Sequence, residues 1–559
     1  MRNGRINFIF ILIVLFGVAI ISRLFYLQIL NHKFYQAQAL GQQAIFQEIQ
    51  GERGEVFFAG KTKSLAINND KWLVYINPQE IENKEETADA LSEIIGDTSK
   101  QILSKIERGD SYTLIKNKLT EDEVAKIKRA GLKGVHLENQ PGRYYPQTKI
   151  AAQVIGFVGG EEQIGQYGVE GYYDSILKGE KSFTEGSRSS VFFNPASIEV
   201  NSLDGSDLYL TIDYSIQFEA ESLLKKAKED FNIDSGQIIV MDPQTGRIVA
   251  LANYPSFDPN QYSKEKDLAI FQNSVVQKIF ELGSILKPIT MAIALNEGKV
   301  TPETSYIDEG CVKIGTRNIC NFDDKKYGEQ TMTGVLEKSL NTGAIFVSKL
   351  ISHDVYLDYI DKFGFGEKTG IDLQGEVYSK NQNLRNGKEI NFATASFGQG
   401  IEMTPIQFIR AFCVFANGGK LVKPYIVEKI VNNQREELQT SPKVLREVIN
   451  QSTASQLTTM LISVVDNGVA GRAKVPGYYI AGKTGTAQIA YEDKAGYYPD
   501  KTIHSFVGFA PALNPRFVAL IKLDNPTSRS SSLSAAPIFS KLAQYVLNYW
   551  QIPQDYSDD

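Results

Sequence analysis

Strand-like apolar segments stand at both ends of the C-terminal half of this chain, and helix-like segments fill the space between them. GQIIVMDPQTGRIVALANYPSFDPN (236–260) reads as an apolar strand, a turn at 243–246 and a second apolar strand, a buried antiparallel hairpin. Much later, YYIAGKTGTAQIA (478–490) and SFVGFAPALNPRFVALIKL (505–523) return to strand character. Strands at the two ends with helices between them predict a sheet whose ends pair centrally, in an α/β or α+β arrangement. Just ahead of the hairpin, SDLYLTIDYSIQFEAESLLKKAKEDF (206–231) is a strand leading into an amphipathic helix. Ile216, Ala220, Leu223, Leu224 and Ala227 share one face of that helix.

The chain has 559 residues, too many for one compact core, and size alone suggests roughly three or four domains. At its start, MRNGRINFIFILIVLFGVAIISR places 17 residues between Arg5 and Arg23, interrupted only by Asn7, Gly17 and Ser22. That is the short end of a spanning helix, about 17–25 residues, with both arginines able to snorkel. A cleaved signal peptide is the rival. The nearest A-x-A, Ala37-Gln38-Ala39, lies beyond Arg23, His32 and Lys33, which suits cleavage poorly. The expectation is an uncleaved signal anchor at 6–22, a cytoplasmic tail at 1–5 and an exported remainder. That remainder divides into a region of short strands and polar helices (23–205), a larger domain (206–552) and an acidic tail (553–559). Within the first region, TEDEVAKIKRAG carries a Thr120…Glu123 capping box and closes at Gly131, and VFFAGKTKSLAI reads as a hairpin around Gly60-Lys61.

A net charge of −6 gives no basic excess for a nucleic-acid partner. Four histidines, at 32, 136, 353 and 504, are scattered through the chain, so a histidine zinc site is not expected. Cys311 and Cys320 flank VKIGTRNI, where a turn at Gly315-Thr316 sets them opposite each other. A cross-strand disulfide fits there, as do two free thiols. Cys413 reads as a small buried hydrophobe.

Chemistry enters with a repeated tetrapeptide. SILK occurs at 175–178 and at 284–287, and the wider pattern Ser-x-x-Lys also begins at Ser222 and Ser263. Ser222 sits mid-helix away from the apolar stripe, and Ser263 lies in wholly polar YSKEK. Ser175 falls near the end of a short helix, where the negative end of the dipole disfavours alkoxide character. Ser284 instead follows Gly283 at the start of SILKPITMAIALNEG, a helix apolar on nearly every side, whose N-terminus offers unpaired N–H groups. Lys287 shares its face one turn along and, once desolvated, is a base for the serine proton. A serine–lysine pair alone leaves the chemistry open, so a second and a third element are needed beside it. Ser-x-Asn occurs at Ser339/Asn341, leading into an apolar helix, and again at Ser379/Asn381 in YSKNQNLRNGK, which offers nothing to hold it. Lys-Thr-Gly occurs at 483–485 in a strand whose glycines admit a ligand backbone, and again at 368–370 in a glycine-rich loop.

With Ser284/Lys287, Ser339/Asn341 and 483–485 in order, the chain resembles the class B penicillin-binding proteins, membrane-anchored D,D-transpeptidases of peptidoglycan synthesis. The resemblance runs nearly end to end, through GERGEVFFAG, GRYYPQTKIAAQVIGFVG, GQYGVEGYYDSILKG, MDPQTGRIVALANYPSFDPN, FGQGIEMTPIQF and FANGGKLVKPYI. SLNTGAIFVSKL and SFVGFAPALNPRFVALIKLDNP look more like the septal, cell-division type than the elongation type. Leu282 stands where the family often has proline. The resemblance implies a β-lactamase-like transpeptidase domain, an antiparallel sheet flanked by helices, on an elongated non-catalytic pedestal (23–205) that contains the first SILK.

It also implies roles. Ser284 would attack the D-Ala-D-Ala carbonyl of a stem peptide, with Lys287 as general base. Ser339 would relay protons, and Asn341 would hold the substrate or Lys287. Lys483, Thr484, Gly485 and Thr486 match the positions that bind the terminal carboxylate. The backbone N–H groups of Ser284 and Thr486 would form the oxyanion hole. No cofactor is implied. The partners would be stem peptides, β-lactams, the bacterial cytoplasmic membrane, a separate glycosyltransferase and other cell-wall or divisome proteins. A β-lactamase or β-lactam sensor shares these motifs. A lactamase's E-x-x-L-N string is found only at 337–341, which is the second motif itself; Glu376 is the other carboxylate open to that role. A catalytically silent divisome scaffold is the non-enzymatic alternative.

Overall fold

The computed structural model describes residues 44–557 except 62, 70, 109–112, 141, 161, 188–203 and 492–495, together with scattered positions between 12 and 26. The expected tail at 1–5 lies outside the described residues, and of the expected anchor at 6–22 only positions 12, 14–18 and 20–22 are described. Among those described, no helix is long and apolar enough to cross a membrane.

Two compact units result. In the smaller, residues 1–53 and 178–205, the strands Ala44–Gln50 and Lys181–Ser187 pair antiparallel. The larger contains 54–177 and 206–559. Its centre is a five-stranded sheet of β1 (Ser235–Met241), β2 (Ile248–Tyr254), β3 (Ala481–Ala490), β4 (Tyr497–Ala510) and β5 (Phe517–Asp524), in the order β2-β1-β5-β4-β3. All pairings are antiparallel, with Ile239 opposite Leu520 and Gly485 opposite Ser505. The first strand of this sheet in chain order therefore pairs with its last at the centre, as the distribution of apolar segments implies. Except for Ser235 at one end and Asp524 at the other, every residue of β1 and β5 is buried, which explains why both read as near-continuous apolar runs rather than alternating ones.

Helices cover both faces. The helix α1 (Tyr214–Phe231) buries the stripe named from sequence, plus Gln217, whose side chain bonds both ways with the Leu251 backbone. Others that matter to the site are α2 (Lys287–Asn296), α3 (Met332–Glu337), α4 (Asn341–Lys349), α5 (Pro405–Ala416), α6 (Gln451–Asp466) and α7 (Ala535–Tyr549). Every residue of α5 is buried, Cys413 among them.

In the first region, Val56–Phe57 and Ser64–Asn68 form the hairpin expected about Gly60-Lys61, with a 3₁₀ turn at Ala59–Lys61. The sheet does not stop at the end of that region. Its strand order is Glu437–Gln439, Val427–Val431, Asp207–Leu210, Val56–Phe57, Ser64–Asn68 and Arg143–Tyr144. A separate three-stranded sheet, with Lys71–Ile76 between Thr113–Leu119 and Val135–Gln140, packs on Lys84–Ile95, Ser99–Glu107 and Glu121–Ala130. The last of these helices carries the Thr120/Glu123 capping box and ends at Gly131 in the left-handed conformation.

Candidate active site

The turn Gly283–Leu286 is a single 3₁₀ turn, and α2 begins only at Lys287. Sequence reading placed Ser284 on the helix itself, and Pro288 explains the difference. Proline has no N–H to bond the Ser284 carbonyl four residues back, so the Lys287 N–H takes it in the tighter pattern. Gly283 has φ +57, and a Cβ there would meet the Thr486 carbonyl at 3.0 Å and Ala487 Cβ at 3.1 Å. A Cβ on Gly485 would lie 2.8 Å from Ile285 Cγ2 and 2.6 Å from Ser505 Oγ. The two glycines thus let β3 lie directly against the turn that carries Ser284.

Lys287 projects into the interior, 1% exposed, with Nζ 3.1 Å from Ser284 Oγ. It donates to the Ser339 carbonyl (2.5 Å) and to Asn341 Oδ1 (2.9 Å), and lies 3.2 Å from Ser339 Oγ. Lys483, wholly buried on β3, donates to Ser339 Oγ at 2.8 Å and to the Thr484 carbonyl at 3.1 Å. The structure thus brings Ser284, Lys287, Ser339, Asn341 and Lys483 into one hydrogen-bonded cluster from three elements far apart in sequence. Ser339 joins it through a backbone that residues other than glycine seldom adopt. After α3 ends, its φ is +58, which costs about 1–2 kcal/mol and turns both its carbonyl and its hydroxyl toward Lys287.

Electrostatics follow from burial. Desolvation pulls the Lys287 ammonium well below the ordinary lysine range, and the like charge of Lys483 adds to it. Burial also brings Lys483 down, to about 7. An amine whose proton affinity burial lowers, 3.1 Å from a half-buried serine hydroxyl, is equipped to take its proton.

Of the remaining predicted positions, Thr484 is buried and Thr486 is exposed, its hydroxyl 3.1 Å from Ser531 Oγ. Cys311 and Cys320 are disulfide-bonded across their hairpin. Ser175, Ser222 and Ser263 are all exposed. The loop 368–370 is held by Glu376, whose carboxylate accepts from Thr369 N, Thr369 Oγ1 and Gly370 N.

The reading that nothing holds YSKNQNLRNGK is corrected. Asn381 is buried and bonds both ways with the Glu402 backbone, because its segment packs against the short strand Glu402–Met403. Ser379 and Asn381 line a cavity of about 270 Å³ together with Glu281 and Glu402. Burial raises the Glu281 carboxyl to about 7, and Tyr497 donates to it at 3.1 Å. Sequence reasoning also missed Ser531, which braces Thr486, and Asp308 and Asn321, which hold the start of α4. Serines and asparagines in polar loops carry no signal until the fold places them.

Residues 236–544 match the penicillin binding protein transpeptidase domain, and 48–210 the penicillin-binding protein dimerisation domain. Stage V sporulation protein D of Bacillus subtilis is 31% identical over 545 residues, 95% of this chain and 84% of that protein. The probable peptidoglycan D,D-transpeptidase PbpC of Pseudomonas aeruginosa is 30% identical over 573 residues, 100% of this chain and 97% of its own. Among solved structures, penicillin binding protein 3 of Mycobacterium tuberculosis in complex with aztreonam superposes with TM-score 0.71 at 26% identity, covering 91% of this chain and 98% of that one. Penicillin binding protein 2X of Streptococcus thermophilus shares the fold, with TM-score 0.76 at 20% identity over 90% of this chain and 80% of that one.

Proposed function

The chain belongs to the class B penicillin-binding proteins, and from that premise we propose that Ser284 is the nucleophile with which it crosslinks peptidoglycan. It is a serine D,D-transpeptidase that acts on stem peptides and binds β-lactams. The observation that carries the residue assignment is the buried Lys287 amine 3.1 Å from Ser284 Oγ, in a setting that lowers its affinity for a proton. Lys287 takes the Ser284 proton as Oγ attacks the D-Ala-D-Ala carbonyl. The backbone N–H groups of Ser284 and Thr486 receive the developing oxyanion. Ser339, between the two lysines, passes the proton to the amine of the departing D-alanine. The acyl-enzyme ester is then attacked by the amine of a second stem, which forms the crosslink and returns the proton along the same path. Lys483 and Thr486 hold the terminal carboxylate, with Lys483 still cationic when that charge is bound.

A stable acyl-enzyme, rather than lactamase turnover, is supported by Glu376, whose carboxylate is committed to the 368–370 loop. The residues 6–22 anchor the chain once across the cytoplasmic membrane with the catalytic domain outside, where a separate glycosyltransferase supplies glycan strands. The division septum is the site of action, a reading supported by relatives named FtsI homologues, such as that of Mesostigma viride at 29% identity.

The test is labelling by a fluorescent penicillin of wild type, Ser284→Ala and Ser175→Ala, followed by peptide mapping. Label lost only in Ser284→Ala and persisting for many minutes is the expected result. Rapid loss with turnover would make the protein a lactamase. No label on folded wild type would sink the catalytic assignment.

A further inference from the structure

The Asn341 side chain faces Lys287 with its oxygen, and something must choose that end of the amide. Asn341 Nδ2 donates to the Cys320 carbonyl at 3.0 Å, so Oδ1 is left to accept from Lys287 at 2.9 Å. The backbone is fixed from the same hairpin. Asn321 Oδ1 accepts from Asn341 N at 2.9 Å and Thr342 N at 3.2 Å, and Thr342 Oγ1 lies 3.1 Å away. It therefore caps α4 from outside the helix, twenty residues upstream in sequence. The preceding residue, Leu340, offers no side-chain cap.

Asn321 is in turn oriented. Its Nδ2 donates to both oxygens of Asp308, at 3.0 and 3.1 Å, and to the Lys325 carbonyl at 3.1 Å. Asp308 is fully buried and accepts further bonds from Gly310 N, Tyr327 N and Thr342 Oγ1. A carboxylate can only accept, so it admits only the Nδ2 end of Asn321 and forces Oδ1 toward the helix. The chain of orientation runs Asp308, Asn321, Asn341, Lys287.

We propose that Asn321, oriented by Asp308, is a positioning residue for the second motif: it fixes the first turn of α4 so that Asn341 presents its oxygen to Lys287. This rests on the reading of Ser284 as nucleophile and Lys287 as its base. Asn321 touches no reacting atom. Without it, two N–H groups at the start of α4 lose their acceptor, and the turn that carries Asn341 can shift away from Lys287. A displacement of about 1 Å there is expected to slow acylation on the order of 10- to 10²-fold.

The measurement is the single-turnover rate of acylation by a fluorescent penicillin, with the thermal midpoint of each variant recorded. Asn321→Ala is expected to slow acylation, and to slow it no further when Asn341 is already alanine. The same factor in both backgrounds would mean a general loss of structure and would overturn the proposal, as would an unchanged rate. Asn321→Asp sets two carboxylates face to face and is expected to be slow. The exchange Asp308→Asn with Asn321→Asp restores one donor between them and is expected to recover part of the rate. If Asn321→Ala does not fold, the exchange variant decides alone: it must acylate faster than Asn321→Asp, and failure to do so overturns the inference. A wild type that labels normally while Asn321→Ala matches it removes only this inference; a wild type that does not label at Ser284 removes the catalytic assignment itself.

Discussion

Two lysine amines within reach of one serine hydroxyl set the chemistry at the residue scale. Ser339 Oγ lies 3.2 Å from Lys287 Nζ and 2.8 Å from Lys483 Nζ, and burial lowers the affinity of both amines for a proton. Acylation needs Lys287 neutral, so its rate is expected to fall toward acid pH as Lys287 takes up a proton. An alkaline limb follows as Lys483, at about 7 in the free enzyme, loses the charge that holds the substrate carboxylate. A stopped-flow pH profile of penicillin acylation checks both limbs; a rate flat on the acid side would contradict a neutral-lysine base. The same burial acts on stability. The unfolded chain keeps a proton on Lys287 up to about pH 10.4, whereas the folded chain releases it at a much lower pH. The unfolded state binds more protons across that interval, so unfolding free energy rises with pH. Lys287→Met is expected to abolish acylation yet raise the thermal midpoint at pH 7 by on the order of a few degrees, with a shallower pH dependence than wild type. The five clustered side chains were legible because each lies in a short motif of fixed spacing, on a segment whose apolar neighbours betray burial. Asn321, Asp308 and Ser531 were not, since their partners are distant in sequence. Asn381 was misjudged because the short strand that holds it comes later in the chain.

At the scale of elements, the site is the meeting of one turn with one strand. The strand β3 approaches 283–286 because neither Gly283 nor Gly485 has a side chain. Gly485→Ala would place a methyl 2.6 Å from Ser505 Oγ and 2.8 Å from Ile285 Cγ2, both well inside contact distance. The strand must move outward, carrying Lys483 and Thr486 with it, and acylation is expected to drop on the order of 10²-fold. The midpoint of unfolding should also fall, since overpacking a buried contact costs about 1–3 kcal/mol. A normal rate with a normal midpoint would show that this approach is not needed. The strands and the long helices announced themselves through apolar periodicity. The 3₁₀ turn ahead of α2 did not, although Pro288, read for what its missing N–H forbids, would have given it.

Across the whole molecule, the boundary drawn from composition at 205/206 cuts through a sheet. Asp207–Leu210 pairs parallel with Val56–Phe57 on one side and antiparallel with Val427–Val431 on the other. Leu208 and Leu210 are fully buried there. Removing 1–205 leaves that edge unpaired and strips the cover from these leucines. A 206–559 fragment is expected to melt below the full chain and to associate through the bared edge. Equal midpoints and a monomeric fragment would show the two regions to be independent. The less apolar stretch at 186–205 is why sequence alone drew the line there: hydrophobic pattern reports which faces are buried, not which strand covers them.

The central pairing of β1 with β5 has a consequence for how the protein is made. Translation delivers the serine and its lysine early and the Lys-Thr-Gly strand late, and the strand that closes the middle of the sheet, Phe517–Asp524, comes almost last. A nascent chain therefore carries every atom of its nucleophile long before it has a place to put it. Its sheet cannot close until that last strand is present. A chain truncated before Phe517 is expected to take no label from a fluorescent penicillin.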